Sequence, residues 1–161
     1  MIRQFPPVLA ALLLVAIASC TKLEEPETVQ DMLRNGQWRQ VSGSVRLQGH
    51  GVDTTTDYFA DVPECVQDDY IVFNENFSGA MNDNAVSCGT GDPQEIPFTW
   101  EVKEAGARLN IFSAQRFFRT GSVYAEIVTI SDGKLSLRYV VHDQTTPGII
   151  DTLTYENSYS K

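Results

Sequence analysis

The chain has 161 residues and a formal net charge of −9 at pH 7, with 21 acidic and 12 basic side chains. This length suits one globular domain. The acidic balance, without any cluster of lysine or arginine, excludes the usual nucleic-acid-binding classes, so we expect no nucleic-acid partner.

The amino-terminal segment has the form of a secretory signal. Arg3 is the only charged residue among the first 19, and residues 8–18 are entirely apolar. A positive start followed by a short apolar run is typical of signal peptides, and the run is shorter than the roughly 20 residues that span a bilayer. We therefore expect residues 1–19 to be a leader that is removed.

Residues 17–20, Ile-Ala-Ser-Cys, resemble the bacterial lipobox. The resemblance implies cleavage before Cys20, a diacylglyceryl thioether on its thiol, and fatty acylation, for example with palmitate, of the new amino terminus. Several acyl chains, each contributing about 0.8 kcal/mol per buried methylene, hold a protein on a lipid bilayer durably. The alternative is an ordinary secretory leader that happens to contain a cysteine.

The residues after Cys20 favour the bacterial outer membrane. Thr21 stands where an aspartate would retain a lipoprotein at the inner membrane, and residues 20–27 form an acidic tether. The tether resembles the acidic tags of some surface lipoproteins, but an acidic tether also simply stays solvated. The periplasmic and cell-surface faces therefore both remain open.

Cys65 and Cys88 are the two cysteines left once Cys20 is assigned to lipid. An even number in an oxidising compartment predicts a disulfide, which the chain-entropy description values at about 3 kcal/mol for a loop of this size. A metal pair is the alternative. Two cysteines without neighbouring cysteine or histidine ligands make a poor metal site.

Residues 26–35 predict one short helix. Pro26 suits its first turn, and Val29, Met32 and Leu33 form an apolar stripe at helical spacing. We expect the helix to lie against the body of the domain as a lid or plug.

The rest of the chain has the pattern of β-strands. Strands are predicted at residues 38–47, 70–73, 77–82, 98–103, 107–113, 123–130, 134–142 and 151–160. A phase slip near Ser42 and Gly43 predicts a bulge, and long loops are predicted at 50–63 and 83–96. Eight strands with hairpin-length connections predict an all-β fold, an antiparallel up-and-down barrel over residues 28–161, with a two-sheet sandwich as the alternative.

This order of features resembles the lipocalin-like domain of bacterial outer-membrane lipoproteins, over residues 28–159. The features that carry the resemblance are Gly36-x-Trp38, the Cys65 to Phe73 segment, Cys88, Trp100 and Leu135-x-Leu137-x-Tyr139. The resemblance implies that Trp38 closes the barrel floor beneath an arginine of the last strand, although residues 151–160 contain no arginine. It also implies a small apolar or amphipathic ligand.

The candidate ligand-binding residues are Trp100, Tyr139, Arg116 and Arg119. Trp100 and Tyr139 are bulky residues at inward-facing positions. Arg116 and Arg119 flank two phenylalanines, and we expect this stretch to lie at the barrel mouth and to contact an anionic head group of the ligand. The alternative for the arginine pair is a turn with two packed rings and two solvated guanidinium groups.

Two acidic groups are expected to be structural. Asp68 and Asp69 are adjacent at a strand entrance and point to opposite faces, so we expect one turn or capping carboxylate and one solvated one. Residues 82–84 with Asp92 lack the spacing of a calcium loop, so we expect no metal site.

No motif for a catalytic nucleophile, a zinc protease or a phosphate loop is present, and neither His50 nor His142 lies beside one. We expect no enzyme and no cofactor. Two functions remain: a carrier of a small ligand, or a surface module that binds a protein or glycan through its long loops. An apolar cavity of roughly 300 Å³ or more would favour the carrier, and a filled barrel the module.

Overall fold

The computed structural model describes residues 27–49, 51–86, 88–89, 91, 94–117, 120–146 and 149–161, with side chains except at 114–117, 120, 144–146 and 149. The leader, Cys20 and all of the tether but its last residue lie outside these ranges. Within them, no helix combines the length and apolarity needed to cross a membrane.

Nine antiparallel strands form one sheet. Their bounds are β1 Gln37–Gly49, β2 Val52–Asp57, β3 Tyr70–Phe73, β4 Ser78–Asn82, β5 Glu95–Lys103, β6 Arg108–Phe117, β7 Thr120–Ser131, β8 Lys134–Thr146 and β9 Ile149–Ser160. Neighbours follow the order β2-β1-β3-β4-β5-β6-β7-β8-β9, and β1 also pairs with β9. The pairing of β1 with β9 closes β1 and β3–β9 into an eight-stranded barrel. This confirms the predicted barrel and not the alternative two-sheet sandwich.

Strand β2 corrects the predicted loop at 50–63. All six of its residues are exposed, and it pairs with residues 44–49 of β1, from Ser44 opposite Asp57 to Gly49 opposite Val52. The first residues of β1 pair instead with β3. Because neither face of β2 meets the core, its sequence carries no apolar alternation. Backbone pairing and a two-point ion pair from Arg46 to the Asp53 carboxylate, at 2.7 and 2.6 Å, hold it on β1.

Helix α1 spans Val29–Arg34 and begins later than predicted. Thr28 caps it: its hydroxyl oxygen accepts from the Asp31 amide at 3.2 Å, and the Asp31 carboxylate accepts from the Thr28 amide at 3.1 Å. This reciprocal capping box fixes the first turn. Leu33 is fully buried and α1 contacts β3 and β7, so the helix plugs one end of the barrel, as expected.

The barrel floor is built around Trp38. Its side chain is fully buried, and its indole nitrogen donates to the carbonyl oxygen of Leu33 at 2.8 Å. The ammonium of Lys161, directly after β9, lies 5.0 Å from the centroid of the Trp38 ring. A lysine at the end of the last strand thus supplies the cation over the ring that the resemblance assigns to an arginine.

The interior positions predicted from alternation face the core. Nine inward positions follow from the alternation in the predicted strands. Eight of them are buried: Phe98, Trp100, Leu109, Ile111, Leu135, Leu137, Tyr139 and Tyr155. The ninth, Leu153, is partly buried and packs against the same core cluster. Near the helical plug, Phe73 packs edge-on against both Phe98 and Trp100. This half of the barrel is solidly packed.

We expect Gly79→Ala to lower the free energy of unfolding by about 1–3 kcal/mol, because a new methyl group has no space. A β-carbon on Gly79 would overlap the Phe98 ring and lie 2.6 Å from the Val72 carbonyl oxygen. Chemical denaturation measures the loss. Gly121→Ala is the matched control: Gly121 is exposed, and its new β-carbon would lie 3.2 Å from the Ser113 carbonyl oxygen, so it should cost clearly less than Gly79→Ala. Equal effects of the two substitutions would contradict the tight packing at Gly79.

Candidate functional site

A cavity of about 200 Å³ lies inside the barrel, on the far side of Trp38 from helix α1. We call it the barrel cavity. Its walls come from the strands and from the segment between β2 and β3. The strand residues that line it are Trp38, Gln40, Ile71, Met81, Tyr139 and Tyr159, and the remaining lining residues are Tyr58, Val62, Val66 and Asp69.

Residues 58–69, which we call the cover segment, close the barrel cavity from one side. The segment contains a 3₁₀ turn at Phe59–Asp61 and the short helix α2, Glu64–Gln67. Tyr58 anchors its start: its hydroxyl donates to the side-chain oxygen of Asn157 at 2.6 Å and accepts from Gln40 at 3.0 Å. Asn157 is buried, so this polar network fixes the tyrosine ring over the cavity.

A disulfide joins the cover segment to the loop between β4 and β5. Cys65 and Cys88 are bonded, which confirms the predicted pair. Asp68 makes a second connection between the same segments, because its carboxylate accepts from the amides of Ala85 and Val86 at 3.0 and 3.2 Å. Asp68 is therefore a structural carboxylate, but it joins two segments that are 17 and 18 residues apart rather than its own turn.

A second cavity, of about 280 Å³, lies next to the barrel cavity and beside the disulfide. Val66, Asp69 and Met81 line both spaces. Asp83 and Ile96 line only the second. Asp69 therefore stands in the partition between two neighbouring cavities, where a bound molecule in either one would meet its carboxyl group.

Asp69, the last residue of the cover segment, is not the solvated carboxylate that the sequence predicted, because its side chain is partly buried. Burial, together with the negative charges of Asp83 and Asp68 and a hydrogen bond with Asp83, raises the pKa of Asp69 to about 6. Its Oδ1 atom is buried and has no hydrogen-bond partner among the described residues. Among the described residues that line either cavity there is no lysine or arginine.

A family model described as a lipocalin-like domain matches residues 35–137. The chain belongs to the lipocalin-like domain family. The match starts just before β1 and ends within β8, so strand β9, which closes the lipocalin-like barrel through β1, lies beyond it. A search of the curated proteins finds no match to the chain.

Of the predicted ligand-binding residues, the lipocalin-like barrel places Tyr139 on the cavity and Trp100 away from it. Tyr139 stacks on Tyr155, with ring centroids 5.1 Å apart. Trp100 lies in the packed half, where its indole nitrogen donates to the Ser78 carbonyl oxygen at 2.8 Å and the Arg34 guanidinium lies 5.6 Å from its ring. Trp100 therefore supports the floor of the barrel.

Three predicted sites fall outside what the structure describes. They are Cys20, Arg119 and the side chain of Arg116, of which only the backbone, in β6, is described. Asp92, in the predicted loop at residues 83–96, also lies outside the described residues. Among the described residues, no group of three or more histidine, cysteine, aspartate or glutamate side chains could hold a metal ion.

Sequence reasoning did not assign Gln40, Tyr58, Asp69 or Tyr159 to a ligand site. Tyr58 and its neighbour Phe59 were recognisable as loop aromatics that either seal a cavity or pin a loop, and Tyr58 does both. The indication for Asp69 in the sequence was weaker. It follows Asp68 directly at the entrance to β3, so the two side chains point to opposite faces of the strand. The lipocalin-like barrel turns the face of Asp69 inward.

Asp69→Asn should stabilise the folded state at neutral pH, because it removes a partly buried negative charge. The gain should be on the order of 1 kcal/mol, since solvent reaches part of this side chain and screens the charge. The pKa of Asp69 is raised in the folded state, from 3.8 to about 6. The stability that its protonated form contributes is therefore complete below about pH 4 and is lost as pH rises through about 6. Thermal unfolding of the wild-type protein and of Asp69→Asn, from about pH 4 to about pH 7, measures the difference in stability between them. The difference should shrink towards about pH 4, and a constant difference at all pH values would refute the assignment.

Proposed function

We propose that this protein is a non-enzymatic, lipid-anchored lipoprotein of the bacterial outer membrane, whose lipocalin-like barrel binds one small apolar or amphipathic molecule. The barrel cavity carries the binding part of the proposal. It is mostly apolar, and its few polar groups come from Gln40, three tyrosines and Asp69. This combination of an apolar enclosure and a few convergent polar groups is typical of small-molecule sites.

The cavity volume sets the size of the ligand. At about 200 Å³ it is smaller than the roughly 300 Å³ expected of a carrier for drug-sized ligands, yet the barrel is not filled, so the carrier function is kept for a smaller ligand. An apolar cavity of about 150 Å³ is enough to hold benzene. The proposed ligand is therefore about the size of a single ring or a short chain, rather than a long fatty acid.

The anchor part of the proposal rests on the sequence around Cys20. The apolar leader and the lipobox-like residues 17–20 support acylation, and the acidic tether before α1 supports display away from the bilayer. Metabolic labelling with palmitate in a bacterial host tests it: the full chain should become labelled, and Cys20→Ser should abolish the label. Labelling that persists in Cys20→Ser would disprove acylation at this residue.

The binding part is tested with benzyl alcohol, a neutral single-ring amphiphile. Saturation-transfer NMR on the full chain in lipid nanodiscs, with empty nanodiscs as the blank, should show that it binds. Ile71→Phe enlarges a buried side chain on the cavity wall and should weaken binding. Val140→Phe makes the same kind of change at a 51% exposed position on the outside of β8 and should leave binding unchanged. Absence of binding, or equal effects of the two variants, would count against the cavity as the site.

A second candidate function is contact with a protein or glycan, and strand β2 favours it. All six side chains of β2 are exposed on the β1–β2 hairpin, and its sequence, Val-Asp-Thr-Thr-Thr-Asp, is rich in hydroxyl groups. Deleting residues 52–57 would remove this surface while leaving the closed barrel strands in place. Loss of partner capture without loss of benzyl alcohol binding would support this second function.

A further inference from the structure

The charge distribution around the barrel cavity is unbalanced. Asp69 contributes a carboxyl group to its wall, Asp83 faces the neighbouring cavity, and the described lining residues of both spaces include no lysine or arginine. The buried Oδ1 atom of Asp69 makes no hydrogen bond within the described chain. A partly buried negative charge without an opposite charge beside it is unfavourable. The barrel cavity therefore favours a ligand that brings a positive charge.

The other walls favour an organic cation over an inorganic one. Four aromatic side chains line the same cavity, those of Trp38, Tyr58, Tyr139 and Tyr159. Aromatic rings attract ammonium groups and also bury hydrocarbon, whereas a metal ion needs several oxygen ligands to replace its water. No group of described side chains offers such a ligand set.

We propose that the barrel cavity takes a small organic amine in its protonated form, with Asp69 as the carboxylate that pairs with the ammonium group. This inference rests on the proposed ligand-binding function and narrows its ligand class. The hydrocarbon part of the amine lies among the aromatic and aliphatic walls, and the ammonium group pairs with the carboxylate of Asp69. The ligand thereby supplies the positive charge that the described lining residues lack.

The hydrogen bond between Asp69 and Asp83 fits this arrangement. Two neighbouring carboxyl groups share a proton readily, and a proton and an ammonium group compete for the same negative charge. A ligand cation next to Asp69 relieves the repulsion from Asp83 and Asp68 that the empty site retains. Amine binding should therefore be accompanied by proton release when it is measured near pH 6.

The test compares two ligands of nearly the same shape. Benzylamine is protonated at neutral pH, and benzyl alcohol is its neutral counterpart. Isothermal titration calorimetry on the full chain in lipid nanodiscs, with empty nanodiscs as the blank, should give a dissociation constant roughly ten- to a hundredfold lower for benzylamine, the range expected for one charge-assisted hydrogen bond.

Two variants assign the preference to one residue. Asp69→Asn keeps the shape of the side chain and removes its charge, and it should bring the two affinities to within about twofold of each other. Asp61→Asn removes the same charge from an exposed position in the same cover segment and should keep the wild-type preference. A preference that persists in Asp69→Asn would overturn the inference.

The outcomes separate this inference from the function on which it rests. If benzyl alcohol and benzylamine bind the wild-type protein equally, ligand binding in the cavity stands and the amine assignment is wrong. If neither binds, both are wrong.

A second measurement on the wild-type protein does not depend on the folding of any variant. Lowering the pH from about 7.5 to about 5 should reduce benzylamine affinity about tenfold, while benzyl alcohol affinity stays constant. The acidic groups around Asp69 are Asp83 and Asp68. Burial raises the pKa of Tyr159 well above its usual value, and the described lining residues include no histidine. A benzylamine affinity that does not change with pH would overturn the inference.

Discussion

Replacing Trp38 with alanine is expected to lower the free energy of unfolding by about 3–5 kcal/mol, the range for a large aromatic residue lost from a core. The side chain is fully buried, and its indole nitrogen bonds the last turn of α1 through the Leu33 carbonyl oxygen. The substitution removes the floor of the barrel cavity and the contact surface of the helical plug together. We expect α1 to detach from the barrel before the strands separate.

Urea denaturation followed by circular dichroism measures this loss, and hydrogen exchange at α1 reports the detachment. Trp38→Phe separates the ring from the hydrogen bond: it keeps most of the apolar volume and should cost clearly less than alanine. Val140→Ala, at a position that is 51% exposed, should change stability by less than about 0.5 kcal/mol. A Trp38→Ala variant with wild-type stability would show that the plug and the floor contribute little.

Removing the Cys65–Cys88 bond by a Cys65→Ser, Cys88→Ser double substitution should cost about 3 kcal/mol, because the unfolded chain gains the freedom of a loop with a sequence separation of 23. The loss should be felt first in the cover segment. Without the bond, two kinds of described hydrogen bond still connect that segment to the loop after β4: the Asp68 carboxylate on the amides of Ala85 and Val86, and the bond between Asp69 and Asp83.

Thermal unfolding with and without a reductant checks this prediction. The reductant should lower the melting temperature of the wild-type chain to that of the double variant and should leave the double variant unchanged. Limited proteolysis should cut the reduced protein first within residues 58–69. A reductant effect that is equally large in the double variant would show that the destabilisation has another origin.

The barrel itself could be predicted because most of its strands have one face in the core. Alternation of the type seen in Leu135, Leu137 and Tyr139 is a direct consequence of that burial. Strand β2 was missed for the same reason, since a strand exposed on both faces leaves no hydrophobic signal. The start of α1 was placed too early because Pro26 and the acidic residues suggested a first turn, whereas Thr28 and Asp31 form the actual cap.

The candidate site could be predicted only in part, because it depends on contacts between remote segments. Tyr139 was accessible to prediction, since inward positions on a strand follow from alternation. Asp69 was not, because its environment is set by its burial and by Asp83, which directly follows β4 and is 14 positions away in the chain. The bond between Tyr58 and Asn157 joins residues 99 positions apart, and no local pattern in the sequence indicates such a pair.

The pairing of β1 with β9 has a consequence for how the chain acquires its structure. Arg39 lies opposite Ser160, and the two strands pair along most of their length. Strand β1 is synthesised first, but it cannot complete its pairing until β9, the last strand, has been synthesised. Contacts between such distant parts of a chain slow folding, and a half-finished sheet exposes unpaired edges to other molecules. A chain made from its amino terminus therefore passes through its most aggregation-prone stage just before β9 is complete. We expect carboxy-terminal truncation before β9 to produce insoluble protein rather than a smaller barrel.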